Sequence, residues 1–173
     1  MTRPIEREGT RIIVLDDDLR VLLLCYVDEK TGEPHWVPPG GGLEENETHE
    51  DAARRELAEE VGVADVTLQP CNWTRNFLWV TKRGSVYRCH ELFFLARVKR
   101  GFIASSADLE DGEPIHDTRW WTLAALREAR RRGVDIQPRR LPELITSMLR
   151  NGPPAAPIDV GADNVDRRGD APH

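Results

Sequence analysis

The sequence predicts an α/β fold, a layered sandwich around a mixed β-sheet. Short runs rich in β-branched and aromatic residues recur on both sides of one strongly patterned helix near residue 50, and further helical segments follow toward the C-terminus. With 173 residues, 39% of them apolar, the chain is sized for a single hydrophobic core. No apolar stretch approaches the roughly 20 residues that a bilayer-spanning helix needs.

The elements follow in order. Arg11–Leu15 and Val21–Val27, joined by the turn cluster Asp16-Asp17-Asp18, read as a hairpin. Asp28–Pro39 contains Pro34 and Pro38-Pro39 and reads mainly as loop. A helix starts at Thr48, with Asp51 as its capping-box partner, and ends at Gly62, where a left-handed residue is expected. Ala53, Leu57 and Val61 give this helix of about four turns one apolar stripe. Val66–Leu68, Trp73–Thr81 and Val86–Val98 are strand candidates, the last two joined by a turn over residues 82–85, and Asp108–Asp117 is an acidic exposed loop. Arg119–Thr122 forms a short strand, Thr122 caps a helix through Arg131, and a last helix runs from Leu141 to Arg150 with Pro142 in its first turn. Residues 1–150 are thus one domain. Residues 151–173, with four Pro and three Gly, are expected to be a disordered tail.

Charge locates the chemistry. The formal net charge is -6, which argues against general nucleic-acid binding. The whole surplus lies between Gly41 and Val63, where eight acids face only Arg54 and Arg55. The N-terminal Met1–Glu8 lacks an apolar leader core, so a cytoplasmic location is expected. Cys25, Cys71 and Cys89 are far apart and odd in number, and read as small apolar strand residues.

Within that window Glu56, Glu59 and Glu60 stand at i, i+3 and i+4, within one sector of the helix surface. Like charges at this spacing cost about 0.2–0.5 kcal/mol per pair, so the cluster calls for a neutralising partner. Hard oxygen donors converging from one face suit Mg²⁺ or Mn²⁺. Pro38-Pro39-Gly40-Gly41-Gly42, just before the helix, lets backbone approach a ligand closely. Arg55 can pair with Glu47 in bidentate fashion and tie loop to helix.

From Gly41 through Glu47 to Arg55-Glu56-Leu57-Ala58-Glu59-Glu60-Val61-Gly62-Val63, the chain matches every fixed position of the Nudix box, G-x5-E-x7-R-E-U-x-E-E-x-G-U with U aliphatic. It therefore resembles the Nudix hydrolases, and Trp36–Gly41 and Arg119-Trp120-Trp121 resemble that family's flanking segments. The resemblance implies a Nudix-type α/β/α sandwich that hydrolyses a nucleoside diphosphate linked to another moiety, such as a nucleotide, nucleotide sugar, ADP-ribose or dinucleoside polyphosphate. It implies that Glu56, Glu59 and Glu60 hold the divalent ions with the Gly40 carbonyl, and that Arg55, Glu47 and Gly41 support them. The proton acceptor is sought among Glu60 and Glu56 in the box and Glu113 or Glu110 in the acidic loop, with Glu113 preferred and Glu91 on its strand as a further candidate.

Other signals are weaker. Trp36 and Trp79 are candidate platforms for a nucleobase, and Arg75 and Arg88 for phosphate or ribose, if their strands border the cleft. Trp120 and Trp121 alternate faces, so one is expected in the core. Arg127–Arg140 is a basic stretch read as a solvated face, the histidines share no ligand spacing, and a homodimer is left open. The opposing functional reading is a Nudix-fold nucleotide sensor or interaction module without turnover, whose mark would be a degraded box; here the box is complete.

Overall fold

A computed structural model of the chain describes residues 3–28, 31–80, 84–99 and 115–161. Its strands are β1 (Ile5–Leu15), β2 (Val21–Val27), β3 (Pro34–Val37), β4 (Leu68–Val80), β5 (Val86–Arg97), β6 (Asp117–Trp121), β7 (Asp135–Ile136) and β8 (Ile158–Asp159). The helices are α1 (His49–Glu56), continued by a π-helical turn over Leu57–Val61, then α2 (Leu123–Arg131) and α3 (Leu141–Asn151). The sheet runs β7-β3-β2-β1-β5-β4-β8, and β6 pairs with β2.

Strand periodicity explains the layering, because alternate residues of β1 and β5 point to opposite faces. Ile12, Val14 and Phe94 bury against Ala53, Leu57 and Val61, the predicted stripe of the box helix. Ile13, Leu15, Phe93 and Leu95 bury against Leu126, Leu141, Leu144 and Ile145 of α2 and α3. A mixed, curled sheet thus lies between helices, as the α/β expectation required. Trp121 enters the α2/α3 layer and Trp120 packs against the α1 layer, which is the predicted alternation. The three cysteines are buried strand residues without a disulfide.

Four local expectations need correction. The β1–β2 hairpin holds only at its root, Leu15↔Val21. Beyond that β1 pairs in parallel with β5 along its whole length, from Ile5↔Tyr87 to Leu15↔Arg97, a non-local partner that no turn signal announces. The presumed loop 28–39 contains β3, with Pro34 as its first residue, a position where the missing N–H costs no internal ladder bond. The segments Val66–Leu68 and Trp73–Thr81 belong largely to one strand, β4, bulged between Pro70 and Thr74, where Asn72 adopts φ 54.

The fourth concerns the tail. Ile158–Asp159 adds to β4 in parallel, the Val160 N–H donates to the Thr74 carbonyl at 2.8 Å, and Val160 is 6% exposed in the core. Main-chain pairing at a sheet edge is indifferent to side-chain composition, so a Pro/Gly-rich composition was no guide to Ile158–Val160. Residues 162–173 lie outside the described part.

Candidate active site

The box begins as a surrogate strand. Thr10 N–H donates to the Gly41 carbonyl at 2.9 Å and Ile12 N–H to the Pro39 carbonyl at 2.8 Å, while Leu43 N–H donates back to Glu8. The loop therefore occupies the edge of β1 opposite β5, where β2 has diverged. Gly40 sits at φ 140, and a Cβ there would lie 2.1 Å from the Thr10 carbonyl oxygen, so only glycine fits. At Gly41 a Cβ would lie 2.3 Å from Oε1 of Glu56, so this glycine is the space the carboxylate occupies.

The helix is fastened at both ends. Thr48 and Asp51 form the predicted capping box, and Gly62 at φ 76 ends the π turn. The α-helix gives way to the wider turn after Glu56, and such π segments are frequent at functional sites. The three box glutamates consequently differ in environment. The Glu59 side chain is 46% exposed and that of Glu56 12%, and Glu60 is 4% exposed overall.

Arg55 does what its spacing predicted. Its Nε and Nη2 donate to the two carboxylate oxygens of Glu47, each at 2.9 Å, and Nη2 also donates to the Gly42 carbonyl at 3.0 Å. Nη1 donates to Glu56 at 2.9 Å and to Glu59 at 3.4 Å. One guanidinium thus ties loop to helix and hydrogen-bonds three carboxylates, with that of Glu44 at 3.7 Å. Hydrogen bonding to Arg55 holds the Glu47 carboxyl below the usual range, and the Glu47 bond in turn holds Arg55 firmly charged.

Glu60 is held differently, by two neutral donors. Gly40 N–H donates to Oε2 at 2.8 Å and the Tyr26 hydroxyl donates to Oε1 at 2.9 Å. Burial, reinforced by repulsion from Glu56, pushes the Glu60 carboxyl up to about 7. Burial also raises Glu56 despite Arg55, and it raises the Tyr26 phenol, which therefore stays protonated as the donor. Two partly desolvated carboxylates with raised proton affinity, beside a glycine cradle shaped for one of them, form a donor set of hard oxygens that fits a divalent cation. Among the described residues no three acidic, His or Cys side chains converge on one point, and Arg55 bonds both Glu56 and Glu59.

On the opposite face of the sheet lies a second charged group that the sequence reading did not assemble. Arg11 Nε donates to Oε1 of Glu91 at 3.0 Å, and Arg75 Nε donates to Oε2 at 2.8 Å. The other arm of Arg11 reaches the loop, Nη1 lying 3.2 Å from both the Pro38 and the Gly40 carbonyl oxygens. All three side chains are at least nine-tenths buried. Burial alone would raise Glu91, but Arg11 and Arg75 outweigh it and hold the carboxyl low. Arg11 and Tyr26 are thus the site residues missed. The available signal was parity: Arg11 shares the inward face of Ile13 and Leu15, where an unpaired charge does not belong.

The remaining candidates separate. Glu91 and Arg75 are locked to each other, and Glu91, far from being an open base, is enclosed by two guanidinium groups. Trp36 is 6% exposed, edge-on to Trp121 at 5.1 Å, with Arg119 covering its ring at 4.9 Å, which makes it core rather than platform. Trp79 is half-buried, stacked on Tyr87 at 5.2 Å, with Arg7 over its ring at 5.1 Å. Arg88 is on the exposed side and pairs with Glu6. Glu110 and Glu113 lie outside the described residues.

Known proteins resemble this chain in sequence and in fold. The chain is 37% identical over 102 residues to an RNA pyrophosphohydrolase of Halorhodospira halophila, a match covering 53% of each protein. It is 43% identical over 67 residues to an RNA pyrophosphohydrolase of Bartonella henselae, covering 36% of this chain and 39% of that one. The chain spans about half the length, or less, of these curated relatives. In three dimensions it is similar to an Ap4A hydrolase from C. elegans, with TM-score 0.60, 16% identity and coverage of 83% of this chain and 98% of that one. A dihydroneopterin triphosphate pyrophosphohydrolase from E. coli superposes with TM-score 0.54 at 23% identity, covering 72% and 88%, which shows a shared fold. The family model for the NUDIX domain matches residues 6–144, from the start of β1 into α3, and the chain belongs to that family.

Proposed function

We propose that this protein is a divalent-cation-dependent pyrophosphohydrolase that cleaves the diphosphate linkage of a nucleoside diphosphate joined to a further group. The observation that carries the reading is Glu60. A buried carboxylate beside a second carboxylate, held only by neutral donors, calls for a cation that can come and go.

Glu56, Glu59 and Glu60, with the Gly40 carbonyl, would hold Mg²⁺ or Mn²⁺ there. Such an ion neutralises phosphate oxygens and lowers the pKa of the attacking water, the two requirements for displacement at a repelling diphosphate. The protein's own residues supply position. Arg55 fixes Glu56 against Gly41, and Gly40 with Tyr26 fixes both oxygens of Glu60. Glu60 and Glu56 are the carboxylates of the box that could take the proton from water. Glu113, outside the described residues, is the alternative acceptor.

The relatives' name favours one substrate class within this reading. RNA carries a phosphoanhydride only where its 5′ end bears two or more phosphates, so a pyrophosphohydrolase acting on RNA attacks that end. Binding of a single polyphosphate terminus does not require the basic surface that duplex or non-specific binding needs, and so agrees with the acidic composition. The test is a panel of 5′-triphosphorylated oligoribonucleotide, dinucleoside polyphosphates, ADP-ribose, nucleotide sugars and nucleoside triphosphates with Mg²⁺ or Mn²⁺. Turnover of at least one, abolished by chelator, is the expected result; binding without turnover of any would replace this reading by the sensor.

A further inference from the structure

Arg11, Glu91 and Arg75 share the face of the sheet opposite α1, and Arg11 acts on the box carboxylates Glu60 and Glu56 through its charge, which lowers the proton affinity of both. One arm of Arg11 bonds the Pro38 and Gly40 carbonyls, and the N–H of Gly40 is the donor that holds Glu60. The same short stretch of backbone is therefore gripped from both sides of the sheet. Burying two guanidinium groups and one carboxylate is expensive, and a purely structural role would be met as well by apolar side chains of similar volume. A guanidinium, by contrast, offers several donors in a fixed plane, enough to engage a carboxylate and two carbonyls together.

The far end of the group is closed by the C-terminal strand. A Cβ on Gly161 would lie 2.8 Å from Cγ of Arg75, so the backbone after β8 rests directly on that side chain. Asn76, next to Arg75, donates to Asp159 at 3.0 Å, and Val160 N–H bonds Thr74 on its other side. Contacts run without a gap from Gly161 through Arg75, Glu91 and Arg11 to Gly40.

We propose that Arg11 is the positioning residue for the Gly40 backbone and hence for Glu60, and that Glu91, Arg75 and the strand Ile158–Asp159 hold Arg11 in that position. It rests on the cation-site reading given above. Arg11 touches neither substrate nor ion; it sets the direction in which the Gly40 N–H and carbonyl point.

The experiment compares wild type with Arg11→Lys and Gly161→Ala. Lysine keeps the charge but cannot span Glu91 and both carbonyls, and alanine at Gly161 displaces Arg75 from a distance without touching the box. Two quantities are measured: Mn²⁺ affinity, by titrating free ion with electron paramagnetic resonance, and protection of the Gly40 amide from hydrogen exchange in chelator, relative to that of Leu23. Arg11→Lys is expected to weaken Mn²⁺ binding at least tenfold and Gly161→Ala about threefold, each with selective loss of Gly40 protection. A merely structural role would lower the melting temperature and the protection of both amides together, leaving Mn²⁺ affinity unchanged, and that result overturns the proposal. Should Arg11→Lys fail to fold, Gly161→Ala decides alone by the same criteria. A wild-type protein that binds no Mn²⁺ overturns the cation reading and this inference with it, whereas variants that bind like a competent wild type overturn this inference only.

Discussion

The two faces of the sheet treat buried carboxylates in opposite ways. On one face Glu91 is closed between two guanidinium groups, and its proton affinity falls below the ordinary value although burial alone would raise it. On the other, Glu60 is equally inaccessible but receives only an amide and a phenol, and its proton affinity rises to about 7. The same fold neutralises one carboxylate permanently and leaves the other for an exchangeable partner. On the function proposed above, that difference separates a brace from a cation site, and each side of it can be broken on its own.

The largest effect is expected at the open carboxylates. Glu59→Gln and Glu60→Gln each remove a charge that the proposed cation needs, and turnover should fall by about two orders of magnitude or more while circular dichroism stays native. Near wild-type rates in both variants would remove the metal assignment. Next is the closed carboxylate. Glu91→Gln leaves Arg11 and Arg75 buried around a neutral group, and breaking a buried pair in this way costs about 3–5 kcal/mol. Urea unfolding should show that loss, and a change below about 1 kcal/mol would mean that the three ions are not a brace.

Smaller than either is the effect expected of Gly41→Ala. The added methyl would overlap Oε1 of Glu56 and force that carboxylate away from Arg55, while the backbone at Gly41 demands no left-handed conformation. Activity should fall about 10- to 100-fold, the usual cost of disturbing a support that orients a ligand, with stability nearly unchanged. Equal losses of stability and activity would show instead that the loop itself had moved.

How much of this was legible in the sequence follows from the range of the signals. The ends and the buried stripe of the box helix were readable, because Thr48, Asp51, the Ala53–Leu57–Val61 stripe and Gly62 are local signals that act within a few residues of one another. The bidentate tie from Arg55 to Glu47 was readable for the same reason. What could not be read were pairings decided by distant partners: the parallel β1–β5 ladder, the addition of Ile158–Asp159 to β4, and the meeting of Arg11 with residues 80 positions away. Trp36 illustrates the limit, since a strand tryptophan looks the same in sequence whether it faces a ligand or Trp121. The switch from α to π geometry at Leu57 also left no trace, because hydrophobic spacing over one turn fits both.

The last of the expected effects is also the sharpest test of the contrast, because it reads the sign of a pH dependence. A carboxylate whose folded pKa is raised disfavours the folded state when ionised. For Glu60 that cost is complete above about pH 7, and it is relieved as pH falls from about 7 toward the ordinary carboxyl value. Glu91 has the opposite sign: its contribution is present above the ordinary carboxyl value and disappears only at lower pH, as its depressed folded pKa is crossed. Between about pH 8 and about pH 5 in chelator, the wild-type protein should therefore gain about 2–3 kcal/mol of stability relative to Glu60→Gln, as followed by urea unfolding. With saturating Mn²⁺ the trend should reverse, since the ion binds the deprotonated carboxylate and stabilises the fold more as pH rises. Parallel pH profiles for wild type and variant in chelator would show that Glu60 carries no unmet charge, and would leave both faces of the sheet equally closed.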